Sequence, residues 1–370
     1  MKIKKVAIIG VGLIGGSIGL ALRENYPDLK VIGIPRREET IIEALNRGAV
    51  TEGTLDKKEG VKGADIIFVA TPVQTVRSVV EEIYPYVKDK AIITDVGSTK
   101  SEIVSKIESF IPENINFIGG HPLAGSERTG IEAASPTLFK NTSYMLTPTK
   151  KTDSGAFKTL HKLLTSIGAN IVAMEPERHD KVTAYISHLP HLLASSLVQM
   201  TGEQSEDVEN LLSFTAGGFR DMTRIAAGSP SIWVDIFLSN AGALSKVVDE
   251  YRDVLLKIKD AIKSKDKEVL NEFLEGARKK RLNLPVRAEK KLEFLRDILI
   301  PVKDKPGALS EVTVAFGRLG INIEDIEIIH GDGQGLLKIT ISGEEKSKKA
   351  IKELEKMGFE PKVKKTYDKE

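Results

Sequence analysis

The sequence predicts an α/β chain built from a doubly wound, Rossmann-type, mostly parallel sheet, an all-helical dimerisation region and a small ferredoxin-like βαββαβ domain. Three observations carry this. Short apolar runs alternate with amphipathic stretches from Val6 to about Met174, apolar residues then follow a helical period from 177 to 292, and a strand-helix-strand-strand-helix-strand pattern closes the chain. At 370 residues there is room for two or three domains. They are expected at 1–175, 176–293 and 296–370.

The first seven strands are expected at Lys5–Ile9, Lys30–Ile34, Asp65–Ala70, Ala91–Val96, Asn116–Ile118, Ser143–Thr147 and Asn170–Met174, with helices between them. They are rich in Ile and Val, as strands buried on both faces should be. Past Glu175, the residues Val182, Ile186, Leu189, Leu193, Leu197 and Met200 recur at helical spacing. Helices such as Ile232–Leu244 are apolar on more than one face, which predicts burial against a second copy and hence a homodimer. In the tail the pattern gives strand Ile298–Lys303, helix Ala308–Leu319 stopped by Gly320, strand Ile321–Ile329, a turn at Gly331-Asp332-Gly333, strand Leu336–Ser342, helix Lys346–Met357 and strand Phe359–Val363. This order is expected to form a separate module. The basic stretches Lys279–Arg281 and Arg287–Lys291 before it read as a solvated helix face and linker.

Composition narrows the function. Lys and Arg number 54 against 52 Asp and Glu, a formal net charge of +2, so no whole-molecule field favours nucleic acid as a partner. Cysteine is absent, which excludes disulfides, thiolate metal sites, iron–sulfur clusters and a cysteine nucleophile, and fits a cytoplasmic location. The uncharged run Val6–Leu22 follows lysines as a signal peptide would, but Gly10, Gly12, Gly15, Gly16 and Gly19 interrupt it. No stretch is long and apolar enough to suggest a membrane partner.

Gly10-Val11-Gly12-Leu13-Ile14-Gly15 matches G-x-G-x-x-G between an expected strand and an expected helix. The first glycine permits the tight turn, the second lets a pyrophosphate approach the backbone, and the third lets helix and strand pack closely. A tight turn without a ligand is the plainer alternative. The acidic residue that would meet the adenosine ribose of NAD is missing after the second strand, where Pro35, Arg36 and Arg37 stand instead. Guanidinium groups there suit the 2′-phosphate of NADP, which the sequence favours modestly over NAD. The alternative is that both arginines form a solvated loop face.

Polar motifs follow three strands: Thr71-Pro72, Asp95 to Lys100, and Gly119 to Glu127. Ligands bind at such carboxyl ends in open α/β sheets. His121, between Gly120 and Pro122, is expected on a loop there. Its alternative is a core histidine. His188 and His191 flank Leu189-Pro190, where the proline removes one helical donor, frees the carbonyl of Ile186 and is expected to kink the helix. No third ligand stands at metal spacing.

The ordered motifs GVGLIGGS, TDVGSTK, GGHPLAGSE, SHLPH and GFRDMTRIA resemble those of the prephenate and arogenate dehydrogenases, and the tail resembles an ACT regulatory domain. The resemblance covers essentially the whole chain. It implies oxidative decarboxylation of a cyclohexadienyl acid in tyrosine biosynthesis, with hydride leaving C4 for NAD(P) and carbon dioxide leaving C1. His121 matches the family histidine that accepts a hydrogen bond from the C4 hydroxyl, and Ser98 the serine that orients it. Ser126 and Glu127 occupy matching pocket positions. Arg224 matches the arginine that binds a substrate carboxylate, with Asp221 three residues before it to orient the guanidinium. His191 and Trp233 match substrate contacts, the alternative for a lone tryptophan being a core or interface residue, and His188 reads as a structural neighbour. In the tail, Gly307, Ala308 and Asn322 fall in loops that in ACT domains hold small amino acids, which implies tyrosine as effector. A passive dimerisation module is the alternative. Two rival functions are a dehydrogenase of small hydroxy acids and a non-catalytic nucleotide- and amino-acid-sensing protein.

Overall fold

The computed structural model describes residues 3–125, 128–204, 211–282, 295–303, 307–330 and 334–365. By backbone proximity the chain divides into two units: 1–180 with 229–239 and 293–370, and 181–228 with 240–292.

The first unit is built on eight strands: β1 (Lys5–Ile9), β2 (Lys30–Ile34), β3 (Glu52–Gly53), β4 (Ile66–Val69), β5 (Ile92–Asp95), β6 (Asn116–Pro122), β7 (Ser143–Thr147) and β8 (Asn170–Ala173). Their order is β3-β2-β1-β4-β5-β6-β7-β8. All neighbours are parallel except β6 and β7, so the last two strands run against the rest. Successive residues of β1 alternate between two cores. Val6 and Ile8 join the core under helices Leu13–Asn25 and Ser154–Ser166, while Ala7 and Ile9 join the one under Val76–Ile83 and Ser101–Glu108. Strands such as β1, β2 and β4 are therefore apolar on both faces, which is what made them legible. β3 was not expected; its two exposed residues carry no apolar run to betray it.

A correction concerns β6, expected to end at Ile118 and to leave His121 on a loop. The strand continues to Pro122, with His121 opposite Met145 and Pro122 opposite Tyr144. Gly119 and Gly120 here serve close approach and do not mark a loop. A Cβ on Gly119 would lie 2.3 Å from Thr147 Oγ1, and one on Gly120 2.6 Å from the carbonyl oxygen of Asp95.

The tail forms a second sheet from β9 (Leu295–Lys303), β10 (Asp325–His330), β11 (Gln334–Ser342) and β12 (Lys362–Lys365), ordered β10-β11-β9-β12 and antiparallel throughout. With helices Ala308–Arg318 and Glu344–Lys356 this is the expected βαββαβ arrangement. Its apolar core is continuous with that of the first sheet. Leu309, Val312, Phe316, Ile321 and Ile323 belong to the same apolar core as Phe157, Leu160 and Leu164 of the first sheet's covering helix. Gly317 abuts β8 so closely that a Cβ would lie 1.6 Å from the Ala173 carbonyl oxygen. His161 Nε2 meets the Ile323 carbonyl at 3.1 Å, Ser310 Oγ donates to the Pro148 carbonyl at 3.2 Å, and Arg318 pairs with Glu175. β10 begins later than expected: Ile321 N–H is bound back to the Phe316 carbonyl of the preceding helix, and Glu324 N–H, donating to the Thr340 carbonyl, opens the ladder to β11.

The second unit is helical, as expected. It contains Leu189–Gln204, Gly217–Thr223, Ala241–Lys263, Lys267–Leu282 and short 3-10 turns. Helix Pro230–Ser239 belongs with the first unit. Ahead of Pro190 the chain forms a π-helical stretch, Ala184–His188. A wider turn accommodates the missing donor. Among the described residues no helix is long and apolar enough to cross a membrane.

Candidate active site

The order of the first sheet reverses between β1 and β4, and the expected dinucleotide residues meet at that switch point. Gly10 has φ of 89°, a left-handed conformation that glycine adopts without strain, and its missing Cβ would strike the Ala70 carbonyl at 2.3 Å and Thr71 Cγ2 at 3.3 Å. A Cβ on Gly15 would lie 2.1 Å from the Gly10 carbonyl oxygen. A Cβ on Gly12 would meet nothing within 4 Å. Two glycines are thus demanded by packing, while Gly12, at the N-cap of helix Leu13–Asn25, faces open space where an anion could approach. Leu13 and Ile14 open that helix, whose first turn carries no acidic residue, so its free N–H groups suit a pyrophosphate. Thr71 accepts a hydrogen bond from Thr75 Oγ1 at 3.0 Å, and Pro72 follows it, exposed. The residues fit a dinucleotide. Arg36 and Arg37 are exposed beyond buried Pro35, followed at once by Glu38 and Glu39 in the next helix.

At the carboxyl ends of β5 and β6 a buried polar network gathers. Asp95 accepts from Gly97 N–H at 2.8 Å and Gly120 N–H at 3.1 Å and pairs with Lys100, both side chains being wholly buried. Burial pushes the Lys100 ammonium below its ordinary value, opposed by the Asp95 charge. Removing one partner of such a pair costs on the order of 3–5 kcal/mol, since it strands the other charge. Asp95 thereby fixes the loop that carries half-buried Ser98 against the strand that carries His121.

His121 is 7% exposed, and its Nδ1 lies 2.8 Å from Nε2 of His179. Nδ1 of His179 lies 2.8 Å from Asp180 Oδ1. Asp180 also accepts from Lys100 N–H at 2.7 Å and Ser101 N–H at 2.9 Å, at the start of helix Ser101–Glu108. Burial lowers the His179 pKa, against the opposing pull of Asp180. Burial would raise the Asp180 carboxyl, but hydrogen bonds from His179 and Ser101 outweigh it and hold it below the usual range. Sequence reasoning missed Asp95, Lys100, His179 and Asp180 as parts of the site. The first two stood inside a motif already noted; the adjacent His-Asp pair carried no spacing signal.

Trp233 is half-buried on helix Pro230–Ser239, its ring 5.7 Å from that of Phe237. This helix is tied to the strand ends by Thr99 Oγ1 donating to Ser239 Oγ at 3.0 Å and Gln74 Nε2 to the Asp235 carbonyl at 3.4 Å.

In the second unit, His191 is buried on helix Leu189–Gln204, and burial lowers its pKa. Asn240 Nδ2 stands 3.0 Å from His188 Nδ1. Arg224 and Asp221 are both exposed, at the end of helix Gly217–Thr223 and the start of the 3-10 turn that follows it. Ser126 and Glu127 lie outside the described residues.

In the tail, Gly307 has φ of 89° and caps helix Ala308–Arg318, with Ala308 buried behind it. Gly307, Ser310, Glu311 and Arg318 line a cavity of about 680 Å³ with Lys150 and Glu175 of the first sheet's loops. Asn322 is not in its lining; its Nδ2 donates to Glu324 at 2.9 Å.

Comparison with known proteins places this geometry. Residues 18–173 match the profile described as prephenate dehydrogenase, nucleotide-binding domain, and residues 175–276 that of prephenate dehydrogenase, dimerization domain. Residues 298–358 match an AHAS small subunit-like ACT domain. The chain is 39% identical to the prephenate dehydrogenase of Bacillus subtilis over 349 residues, 93% of this chain and 94% of that one. It superposes on a crystal structure of prephenate dehydrogenase from Aquifex aeolicus in complex with hydroxyphenyl propionate and NAD+, with a TM-score of 0.73 and 33% identity, over 77% of this chain and 99% of the other. Synechocystis arogenate dehydrogenase gives a TM-score of 0.68 and 33% identity, over 76% of this chain and all of the other (100%).

Proposed function

The chain belongs to the prephenate dehydrogenase family, and from that premise we propose that it oxidatively decarboxylates prephenate to 4-hydroxyphenylpyruvate with hydride transfer to a nicotinamide dinucleotide. The observation that carries this reading is His121, held at the carboxyl end of β6 by a buried chain of hydrogen bonds. When bound, the oxidised nicotinamide supplies the hydride acceptor. His121 accepts a hydrogen bond from the C4 hydroxyl and offsets the positive charge that grows on that carbon as hydride departs. Ser98 orients the same hydroxyl. Loss of the ring carboxylate as carbon dioxide supplies the electron pair that makes the ring aromatic, so no net proton is released. Arg224 serves as carboxylate ligand through two parallel N–H···O bonds. His191, Trp233, Ser126 and Glu127 complete the proposed substrate contacts. Asp221, three residues before Arg224, is proposed to orient its guanidinium.

For the dinucleotide, NADP is favoured over NAD. The support is the missing acidic residue after β2 and the exposed pair Arg36 and Arg37. The NAD+ named with the Aquifex protein favours the second reading. Arogenate is the second substrate reading, favoured by the likeness to the Synechocystis enzyme. We further propose a cytoplasmic homodimer, supported by the absence of cysteine, the match to a dimerization domain and the exposed Phe214, Met222 and Leu274 of the helical unit. Tyrosine is the proposed effector of the tail, through Gly307, Ala308 and Asn322. Mixing the full chain with prephenate or arogenate and each dinucleotide, while following absorbance of the reduced form, tests the activity. Oxidation of prephenate with release of carbon dioxide is expected. Oxidation of neither acid overturns the reading.

A further inference from the structure

We propose that His179 and Asp180 are positioning residues that fix the tautomer of His121, so that its Nε2 lone pair is the one offered to the reacting hydroxyl. The proposal rests on the reading of His121 given above. Its logic is donor and acceptor accounting along one chain of atoms. The Asp180 carboxylate can only accept, and it faces three donors: Lys100 N–H at 2.7 Å, Ser101 N–H at 2.9 Å and His179 Nδ1 at 2.8 Å. His179 Nδ1 must therefore carry a proton. A neutral imidazole has only one, so Nε2 of His179 is left as an acceptor, 2.8 Å from Nδ1 of His121. That contact is a hydrogen bond only if His121 donates from Nδ1, and a neutral His121 then has its lone pair on Nε2.

The step that could invert this chain is protonation of His179. A charged His179 would donate from Nε2, force His121 to accept at Nδ1, and leave His121 with a proton on the nitrogen that should accept. The surroundings oppose it. His179 is fully buried, and desolvation is the largest influence on it; the nearby Lys100 charge acts in the same direction, while Asp180 and Asp95 oppose both. Lys100 in turn is held by Asp95. The network thus keeps one carboxylate opposite the histidine pair and a cation behind it. As positive charge reaches His121 during the reaction, the His121–His179 bond strengthens, and Asp180 meets that charge through His179. Sequence distance hides all of this, since His121 and His179 are 58 positions apart.

The test uses the full-length protein labelled with nitrogen-15 histidine, whose ring nitrogens report the tautomer directly. The chain has 6 histidines, few enough to assign by loss of each signal in single variants. At neutral pH both His121 and His179 are expected as the Nδ1–H form. Asp180→Asn, which removes the carboxylate charge that holds the proton on His179 Nδ1, is expected to shift His121 toward Nε2–H and to lower kcat by about a hundredfold or more with KM changed far less, as reversal of a catalytic histidine's tautomer does elsewhere. His179→Gln supplies a second variant should Asp180→Asn fold poorly; loss of kcat with cofactor affinity and thermal midpoint retained is the expected result. An Nε2–H His121 in the unaltered protein overturns the proposal, as does kcat within about twofold of normal in both variants. The tautomer is read without substrate, so this outcome stands apart from whether prephenate is oxidised.

Discussion

Asn in place of His121 keeps a polar side chain on β6 but removes the imidazole nitrogen proposed to meet the substrate as charge develops. General acid–base contacts of this kind are worth about 10²–10⁴-fold, so His121→Asn is expected to lower kcat by that order while dinucleotide affinity changes little. Steady-state rates with a separate cofactor titration check this, and a near-normal kcat would remove His121 from the chemistry. Beyond β2, Arg36 and Arg37 are exposed past buried Pro35, and only NADP offers a 2′-phosphate. Replacing both by Ala should reduce kcat/KM for NADP at least tenfold more than for NAD. Equal losses would assign the pair to the solvated face of the loop. At this scale the glycine turn was readable because Gly10 and Gly15 answer to backbone geometry, a local property. The Asp180–His179–His121 chain was not, because its meaning lies in which ring nitrogen faces which neighbour, and no local pattern encodes that.

Among the elements, the strands of the first sheet other than β3 were legible from apolar runs, while β6 was misread past Ile118. Its glycines looked like a loop because sequence cannot distinguish a glycine that turns from one that lets two backbones approach. Helix Ser154–Ser166 offers a prediction of its own through His161, which is 1% exposed and meets the Ile323 carbonyl. Burial is the main cause that lowers its pKa, partly opposed by that carbonyl and by Asp325. The unfolded chain, with an ordinary histidine value of about 6.5, therefore takes up a proton before the folded one does. Stability is expected to be full above that value and to fall as pH drops through it. Buried His179 and His191, also lowered, contribute with the same sign. Thermal midpoints of the full chain between about pH 7.5 and 5 should decline, and His161→Gln should flatten part of that slope. Identical slopes would show that His161 stays neutral in both states, or is charged in both.

For the whole molecule, the consequential finding is that the tail and the first sheet share one apolar core. The βαββαβ order was readable from pattern; its attachment was not, since Phe316 and Phe157 each look like ordinary core residues of their own domain. Burying one such side chain is worth about 1.5–3 kcal/mol, so cutting the chain before β9 would expose several and confound loss of an effector site with loss of packing. Regulation has to be tested in the intact chain. Helix Ala308–Arg318 carries the proposed effector residue Gly307 at one end and the Gly317 contact with β8 at the other, while Glu175, just beyond β8, pairs with its Arg318. A ligand that favours one placement of this helix therefore has a rigid route to the first sheet, and inhibition requires only that tyrosine prefer the less active arrangement. Tyrosine is expected to inhibit in a manner that added prephenate does not erase. Gly307→Val, which puts a branched side chain at φ of 89° and 3.4 Å from Lys150 Cα, should raise the half-inhibitory tyrosine concentration at least tenfold. Calorimetry on both proteins should show a matching loss of tyrosine affinity. Inhibition that vanishes at high prephenate, with undiminished tyrosine binding in Gly307→Val, would place tyrosine in competition at the active site and remove the effector role from the tail.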